Sequence, residues 1–192
     1  MHLALLLLLA YFAGSINFAI LLLRLLGKED PRTKFSGNAG TTNVYRQAGK
    51  GWAAVVLMLD AGRAVGLAAL ALWGLPLLFV PWVGAALVVG NRFPCFHQFA
   101  GGKGVASFLG FTIPLAPWGA ALSCLVWLAV YGVVRIPFIA SFFMVLTLGG
   151  AMVWMGDPRA ASITGTVVTV LLIFFNHRKN IVTLLVERRR RT

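Results

Sequence analysis

Long stretches without a charged residue dominate this chain and restrict the folds open to it. Five uncharged, strongly apolar runs cover most of its length: Leu3–Leu23, Ala64–Gly90, Gly104–Val134, Ile136–Gly156 and Ala160–Asn176. A helix needs about 20 apolar residues to cross the hydrocarbon core of a bilayer. Only 11% of the residues are Asp, Glu, Lys or Arg, against about 25% in soluble domains. The chain is therefore predicted to be an all-α, polytopic membrane protein.

The first apolar run is predicted to be a retained helix rather than a cleaved signal peptide. It is longer than the roughly 7–15 apolar residues of a signal peptide. No basic residue precedes it, and it contains the polar residues Ser15 and Asn17. We therefore count it as the first membrane span.

The number of spans depends on how the two longest runs are divided. Two prolines interrupt each of them, Pro76 and Pro81 in one and Pro114 and Pro117 in the other. Proline breaks helices, and if both runs are hairpins, all but Arg63 and Arg159 of the 17 basic residues fall on one side. The positive-inside rule makes that side cytoplasmic. This predicts about seven spans, near 3–25, 51–73, 77–91, 102–116, 118–134, 137–155 and 159–175, with the N-terminus outside and the C-terminus in the cytoplasm.

The remaining charge and polar sequence indicate one membrane domain over residues 1–192. The net charge of +12 is explained by the positive-inside rule, and no basic helix or aromatic-studded strand suggests binding to nucleic acid. The longest polar segment, about 27–51, is too short for a core of its own. The terminal basic run at 187–191 is predicted to anchor the tail to anionic lipid headgroups.

A first polar cluster lies in GKEDPRTKFSGNAGTTNVYRQAGKG, residues 27–51, which we call the first loop. Its glycines let the backbone approach an anion and turn N–H groups towards it. Arg46 adds a planar fork that fits phosphate oxygens. The neutral donors are Ser36, Asn38, Thr41, Thr42 and Asn43. The alternative is an ordinary turn between helices, which the same residue types favour.

A second cluster lies in HQFAGGKGVASF, residues 97–108. It is not a Walker A loop, G-x-x-x-x-G-K-[ST], because Gly104 follows Lys103 and His97 occupies the position of the first glycine. The expectation is a general anion site at the start of a helix, made of Lys103 and the N–H groups of Gly101, Gly102 and Gly104. His97 is either an interfacial side chain or a catalytic residue.

A third cluster, NHRKN at 176–180, follows the last apolar run. It is either a polar stop with cations that reach the interface or part of a site. In the second interpretation His177 donates to an anion or accepts a proton, with Arg178 and Asn180 as further donors.

Three polar residues lie inside predicted spans. Asp60 and Arg63 are three apart and share a helix face, so a mutual ion pair is favoured, and the alternative is that Arg63 lines the anion site. Ser141 is an ordinary residue type for helix packing.

The three clusters together carry many N–H donors and cations but few carboxylates. Such a composition is suited to binding phosphate and is poor in ligands for Mg²⁺. The chain has no Ser-His-Asp order and no zinc motif, and its two cysteines have no metal-binding spacing. We expect neither a metal nor a cofactor.

Four motifs, GSINFA, DPR…SGNAGTTNVYR, FP…FAGGKGVAS and HRKNI, resemble in order and spacing the bacterial acyl-phosphate:glycerol-3-phosphate acyltransferase family. The resemblance implies a multi-pass enzyme of the bacterial inner membrane with its active site at the cytoplasmic face. It implies acyl transfer from fatty acyl phosphate to glycerol 3-phosphate, independent of acyl-CoA, giving lysophosphatidate and inorganic phosphate. The chain departs from the family pattern at Asn91, Lys179 and Arg63, where the family has His, an acid and Lys.

On this basis we assign two groups of candidate residues. The catalytic candidates are Ser36, Arg46, Lys103, His177 and Asn180. The candidates for binding substrate and phosphate are Gly37, Asn38, Gly40, Thr41, Asn43, Gly101, Gly102, Gly104, Ser141 and Arg178. The base is either His177 or a phosphate of the substrate, and the second is favoured.

Two other functions are compatible with a cationic membrane protein. A phosphate or organophosphate transporter is the main alternative, although transporters place the site near the midplane between repeated halves. The other is a scaffold that binds anionic lipid. Donors gathered on one side of the membrane favour the enzyme.

Overall fold

The computed structural model describes residues 2–189, and the side chains as far as Val186. Its secondary-structure elements over this range are α-helices and short 3-10 helices. The all-α prediction is therefore confirmed for these residues. The helices are α1 Leu3–Ser15, α2 Phe18–Leu25, α3 Thr41–Ala48, α4 Lys50–Gly74, α5 Val80–Arg92, α6 Val105–Thr112, α7 Pro117–Val134, α8 Pro137–Met155, α9 Ala160–Asn176 and α10 Arg178–Arg189. Short 3-10 turns occupy Leu77–Phe79 and Cys95–His97. The predicted lipid anchor at 187–191 lies outside the residues whose side chains are described.

Among the described residues, five stretches are long and apolar enough to cross a membrane: Leu3–Leu25, Lys50–Gly74, Leu77–His97, Pro117–Val134 and Pro137–Met155. A sixth is formed if α9 and α10, bent by 40°, count as one span. The predicted span 102–116 contains only α6, whose eight residues extend about 12 Å against about 30 Å of hydrocarbon. The multi-pass helical architecture is thus confirmed, whereas the count of seven is not.

The first span is broken between α1 and α2. Asn17 lies at the break and caps α2, because its Oδ1 accepts the N–H of Ile20 at 3.0 Å. Its Nδ2 donates to the carbonyl of Ala39 at 3.2 Å, so the break also holds the first loop. Asn17, one of the two polar residues that argued against a signal peptide, therefore helps to position the first loop.

Close helix packing brings the glycine-rich segment into the bundle. A Cβ on Gly90 of α5 would lie 2.1 Å from the carbonyl oxygen of Tyr11 in α1. A Cβ on Gly110 of α6 would lie 2.2 Å from the carbonyl oxygen of Ala61 in α4. Small residues of this kind let helix backbones approach in membranes. α5 is thereby held against α1, and α6, which follows the glycine-rich segment, is held against α4.

Candidate active site

Arg32 ties the first loop to the segment before α6. Its guanidinium binds both carboxylate oxygens of Asp30, with Nε–Oδ1 at 3.0 Å and Nη2–Oδ2 at 2.6 Å. Its Nη1 donates to the carbonyl of His97 at 2.8 Å. The hydrogen bond from Arg32 holds the pKa of Asp30 below its usual range. Neither residue was among the site candidates, although both stand in the DPR motif.

Asn43 organises the first loop from inside. It is buried, and its Nδ2 lies within hydrogen-bond distance of the carbonyls of Pro31 at 2.7 Å, Lys34 at 3.0 Å and Asn38 at 2.9 Å. Two amide protons shared among three carbonyls draw the loop around one point. The loop then passes Ser36, which is exposed, and Gly37 at a φ of +63°.

The helix that follows, α3, begins with uncapped N–H groups. Gly40 is its N-cap residue, and no side chain caps it. Thr41 therefore opens a short helix whose first N–H groups carry the positive end of the helix dipole. Arg46 lies on the same helix with its side chain exposed and its guanidinium carbon 5.6 Å from the ring centre of Phe35.

The glycines before α6 have a steric role that the sequence did not indicate. The N–H groups of Gly101 and Gly102 donate to the carbonyls of Arg92 at 3.1 Å and Asn91 at 2.9 Å. In this arrangement neither group is free to bind phosphate, which corrects the expectation for these two N–H groups. A Cβ on Gly102 would lie 2.6 Å from Oδ1 of Asn91. Glycine is therefore needed here for the backbone to lie this close to the Asn91 side chain. Gly104, the N-cap residue of α6, has a φ of +91°.

Lys103 joins this segment to the end of the chain. Its Nζ donates to Oδ1 of Asn180 at 2.6 Å, across 77 residues of sequence. Asn176 donates its Nδ2 to the carbonyl of Lys103 at 3.2 Å. Burial, followed by the positive charges of Arg92 and Arg46, lowers the pKa of Lys103 to about 8.

Two hydrogen bonds, and two positive charges close enough to lower the pKa of Lys103, define what we call the Lys103 cluster: Arg46, Arg92, Lys103, Asn176 and Asn180. It unites the first loop, the end of α5, the glycine segment and the α9–α10 junction. Three of its members were predicted. Arg92 and Asn176 were not, although Asn176 is the first residue of the third cluster and Arg92 lies shortly before the second.

His177 is buried next to the cluster and has a defined hydrogen-bond partner. It is 2% exposed, its Nδ1 lies 2.8 Å from the carbonyl of Ile173, and the ring of Phe142 meets it edge-on at 5.1 Å. A carbonyl only accepts, so we assign the neutral ring its proton on Nδ1. This leaves Nε2 as a hydrogen-bond acceptor, which fits a hydroxyl proton better than a phosphate oxygen.

Two further candidates are engaged in local contacts. Ser141 donates to the carbonyl of Pro137 at 3.0 Å and accepts from Nε1 of Trp127 at 3.3 Å, as a serine in helix packing does. Arg178 stacks over the ring of Phe175, with its guanidinium carbon 4.1 Å from the ring centre.

Asp60 and Arg63 form the ion pair that the sequence favoured, at 2.9 Å with both side chains nearly buried. Arg63 also donates through Nη1 to the carbonyls of Ala13 and Ile16 at the break in the first span. Its Nη2 donates to Oγ of Ser107 in α6 at 3.1 Å. Arg63 therefore pins the broken first span to the helix that follows Lys103.

Comparison with known proteins shows the family of this chain. The family profile described as Glycerol-3-phosphate acyltransferase matches residues 4–187. The chain belongs to the glycerol-3-phosphate acyltransferase family. A relative of that name from Pseudomonas paraeruginosa is 37% identical, covering 97% of each chain. Another from Rhodopseudomonas palustris is 40% identical over 91% of this chain and 88% of the relative.

The fold agrees with solved members of this glycerol-3-phosphate acyltransferase family. A crystal structure of PlsY, an integral membrane glycerol 3-phosphate acyltransferase in its glycerol 3-phosphate form, aligns with a TM-score of 0.89. That alignment has 32% identity and covers 97% of this chain and 93% of the other. The lysophosphatidic acid form of PlsY aligns with a TM-score of 0.87 at 31% identity. The resemblance drawn from the sequence motifs is confirmed, and the comparisons give no support to a transporter.

Proposed function

We propose that this protein transfers an acyl group from fatty acyl phosphate to the sn-1 hydroxyl of glycerol 3-phosphate. The products are lysophosphatidate and inorganic phosphate. The observation that carries the proposal is the Lys103 cluster, in which the positive charges of Arg92 and Arg46 act on Lys103 in a glycine-rich segment. The relatives are named glycerol-3-phosphate acyltransferase, and glycerol 3-phosphate and lysophosphatidic acid are the ligands in the titles of the PlsY structures.

The chemistry suits a site built from cations and hydrogen-bond donors. The primary hydroxyl oxygen attacks the acyl carbonyl carbon, the bond from that carbon to the phosphate oxygen breaks, and inorganic phosphate leaves. Phosphate is already a good leaving group. Most of the rate enhancement can therefore come from holding two anionic reactants together and neutralising their charge.

We assign Lys103 and Arg46 to phosphate binding. A bound phosphate further stabilises the charged form of Lys103, whose amine has a pKa of about 8. Asn180 orients Lys103 through Oδ1, so its amide N–H groups remain to donate to substrate. Asn43 shapes the loop that carries Ser36. The assignments of Gly37, Asn38, Gly40, Thr41, Gly104, Ser141 and Arg178 to substrate binding stay predictions.

The proton of the attacking hydroxyl passes either to Nε2 of His177 or to a phosphate of the substrate, and we favour the phosphate. The bond between Nδ1 and Ile173 makes Nε2 an acceptor, so His177 can orient the hydroxyl in either case. Under substrate assistance, His177→Gln retains substantial turnover. A loss of about 10²–10⁴-fold in kcat would identify His177 as the general base.

We also propose a location and an orientation. Residues 1–192 form one domain of the bacterial inner membrane, with the N-terminus outside, the C-terminus in the cytoplasm and the Lys103 cluster at the cytoplasmic face. Three largely exposed tryptophans, Trp73, Trp118 and Trp154, support the positions of the span ends. They lie at the helix ends assigned to the outer side, and tryptophan favours membrane interfaces. Seven spans require that α6 and the residues after it cross a locally thinned bilayer.

The direct test is to incubate the purified protein with acyl phosphate and glycerol 3-phosphate. Lysophosphatidate and inorganic phosphate should form in equal amounts, without metal, cofactor or acyl-CoA. Lys103→Ala and Arg46→Ala should abolish the reaction, whereas Lys50→Ala, at an exposed position, and removal of residues 188–191 should preserve it. Phosphate uptake into proteoliposomes without any lysophosphatidate would contradict the proposal and support transport.

A further inference from the structure

A cationic cavity lies apart from the Lys103 cluster. It has a volume of about 540 Å³ and lies between the end of α2, the first loop and the 3-10 turn Cys95–His97. Its charged lining consists of Arg24, Lys28, Arg32 and Asp30. Among the described residues, its lining includes no member of the Lys103 cluster. The proposed reaction therefore gives this cavity no role.

Only some of the charged residues that line the cavity have an ion-pair partner. Arg32 and Asp30 bind one another through two parallel contacts and form a nearly neutral pair in the lining. Arg24 and Lys28 form no ion pair among the described residues. Both are exposed. Two cations facing one opening are matched by a group with negative charge on several oxygens, such as a phosphate ester.

The same cavity borders the surface that faces lipid. Phe96, which lines it, is 60% exposed, and its ring lies 6.3 Å from that of Phe12. Phe12 is 46% exposed and belongs to the candidate span Leu3–Leu25. Leu25, beside Arg24, is 83% exposed. Exposed apolar side chains on a span contact acyl chains, so the cavity lies where acyl chains end and headgroups begin.

We propose that this cavity binds the headgroup phosphate of an anionic phospholipid, whose acyl chains extend along Phe12 and Phe96. Basic side chains next to a span attract anionic lipid. The cavity differs from an unstructured basic surface, because hydrogen bonds to Asp30 and to the carbonyl of His97 hold Arg32, which lines it. The apolar border favours a lipid over a soluble phosphate ester, which would have no use for it.

The test measures lipid binding rather than turnover. Purified full-length protein in neutral detergent is titrated with phosphatidylglycerol, and with phosphatidylcholine as the zwitterionic comparison, and bound lipid is counted by native mass spectrometry. The variant is Arg24→Gln/Lys28→Gln. The control, Lys50→Gln/Arg135→Gln, removes the same charge at exposed helix ends away from the cavity.

The wild type should prefer phosphatidylglycerol, and the preference should weaken with salt. Each cation that contacts the headgroup is worth about a fivefold change in affinity, so the cavity variant should lose roughly 25-fold. The control cations lie away from the cavity, so the control should lose less than about twofold. If the double variant fails to fold, Arg24→Gln and Lys28→Gln singly should each lose about fivefold. Formation of lysophosphatidate in micelles free of anionic lipid should be unchanged, because neither residue belongs to the Lys103 cluster.

Two results would overturn the proposal. Equal loss of lipid in the control variant would show that overall surface charge, rather than the cavity, attracts the lipid. Displacement of phosphatidylglycerol by glycerol 3-phosphate or inorganic phosphate would show that the cavity takes soluble phosphate. Because the readout is binding, either result leaves the proposed acyltransferase reaction untouched.

Discussion

Raising the pH above about 8 should weaken substrate capture by this protein, because Lys103 loses its proton there. Burial lowers the pKa of its amine from 10.5 to about 8, and the nearby charges of Arg92 and Arg46 add to the effect. Only the protonated amine binds phosphate. One pH unit above the pKa about a tenth of the protein carries that charge, so kcat/KM should fall about tenfold for each further unit.

The assay is formation of lysophosphatidate from acyl phosphate, with kcat/KM for glycerol 3-phosphate measured from about pH 6.5 to 9.5, since kcat/KM reports the pKa values of the free enzyme. Two variants test the assignment. Lys103→Arg keeps its charge over this range, so its lower activity should show no such decline. Asn180→Asp places a carboxylate where Oδ1 now lies 2.6 Å from Nζ, which should move the decline to higher pH.

The titration of Lys103 does not itself destabilise the fold at high pH. The pKa of Lys103 is lower in the folded protein than in the unfolded chain, so unfolding takes up a proton between about pH 8 and 10.5. Stability contributed by this group therefore rises with pH over that window, opposite to the expected activity. A wild-type profile that stays flat to about pH 9.5, or an unchanged decline in Lys103→Arg, would refute the role of Lys103 as the titrating cation.

Three further predictions concern packing and loop order. Gly110→Ala should lower the free energy of unfolding in detergent by about 1–3 kcal/mol through overpacking, because its Cβ would lie 2.2 Å from a backbone oxygen. The control Gly62→Ala should be tolerated, because a Cβ there would have no neighbour within 4 Å. Arg63→Met should lower the free energy of unfolding by about 3–5 kcal/mol, because it leaves a buried carboxylate unpaired. Adding Asp60→Asn should recover part of the lost thermal stability. If the losses of the two single variants simply add in the double variant, the pairing is contradicted. Asn43→Ala should raise KM for glycerol 3-phosphate and speed proteolysis of the first loop, and an unchanged cleavage rate would argue against its role in ordering the loop.

The sequence determined the membrane architecture and the family because both are written in local patterns. Uncharged runs of span length predict helices in lipid. The order and spacing of SGNAGTTNVYR, GGKGVAS and HRKNI carry the family resemblance, and the same motifs contain the candidate residues Arg46, Lys103 and Asn180. The exact crossing count could not be obtained in the same way. Charge and proline position the ends of segments, but they do not reveal that α6 has only eight residues.

The tertiary structure decided which groups meet and which hydrogen bonds are already occupied. Arg32 reaches the carbonyl of His97 across 65 residues, and Lys103 reaches Asn180 across 77. No sequence window contains such a contact. The N–H groups of Gly101 and Gly102 are already bound to backbone, which composition could not show. A hydrogen bond depends on separations of about 3 Å, and only the packed helices set distances on that scale between remote parts of the chain.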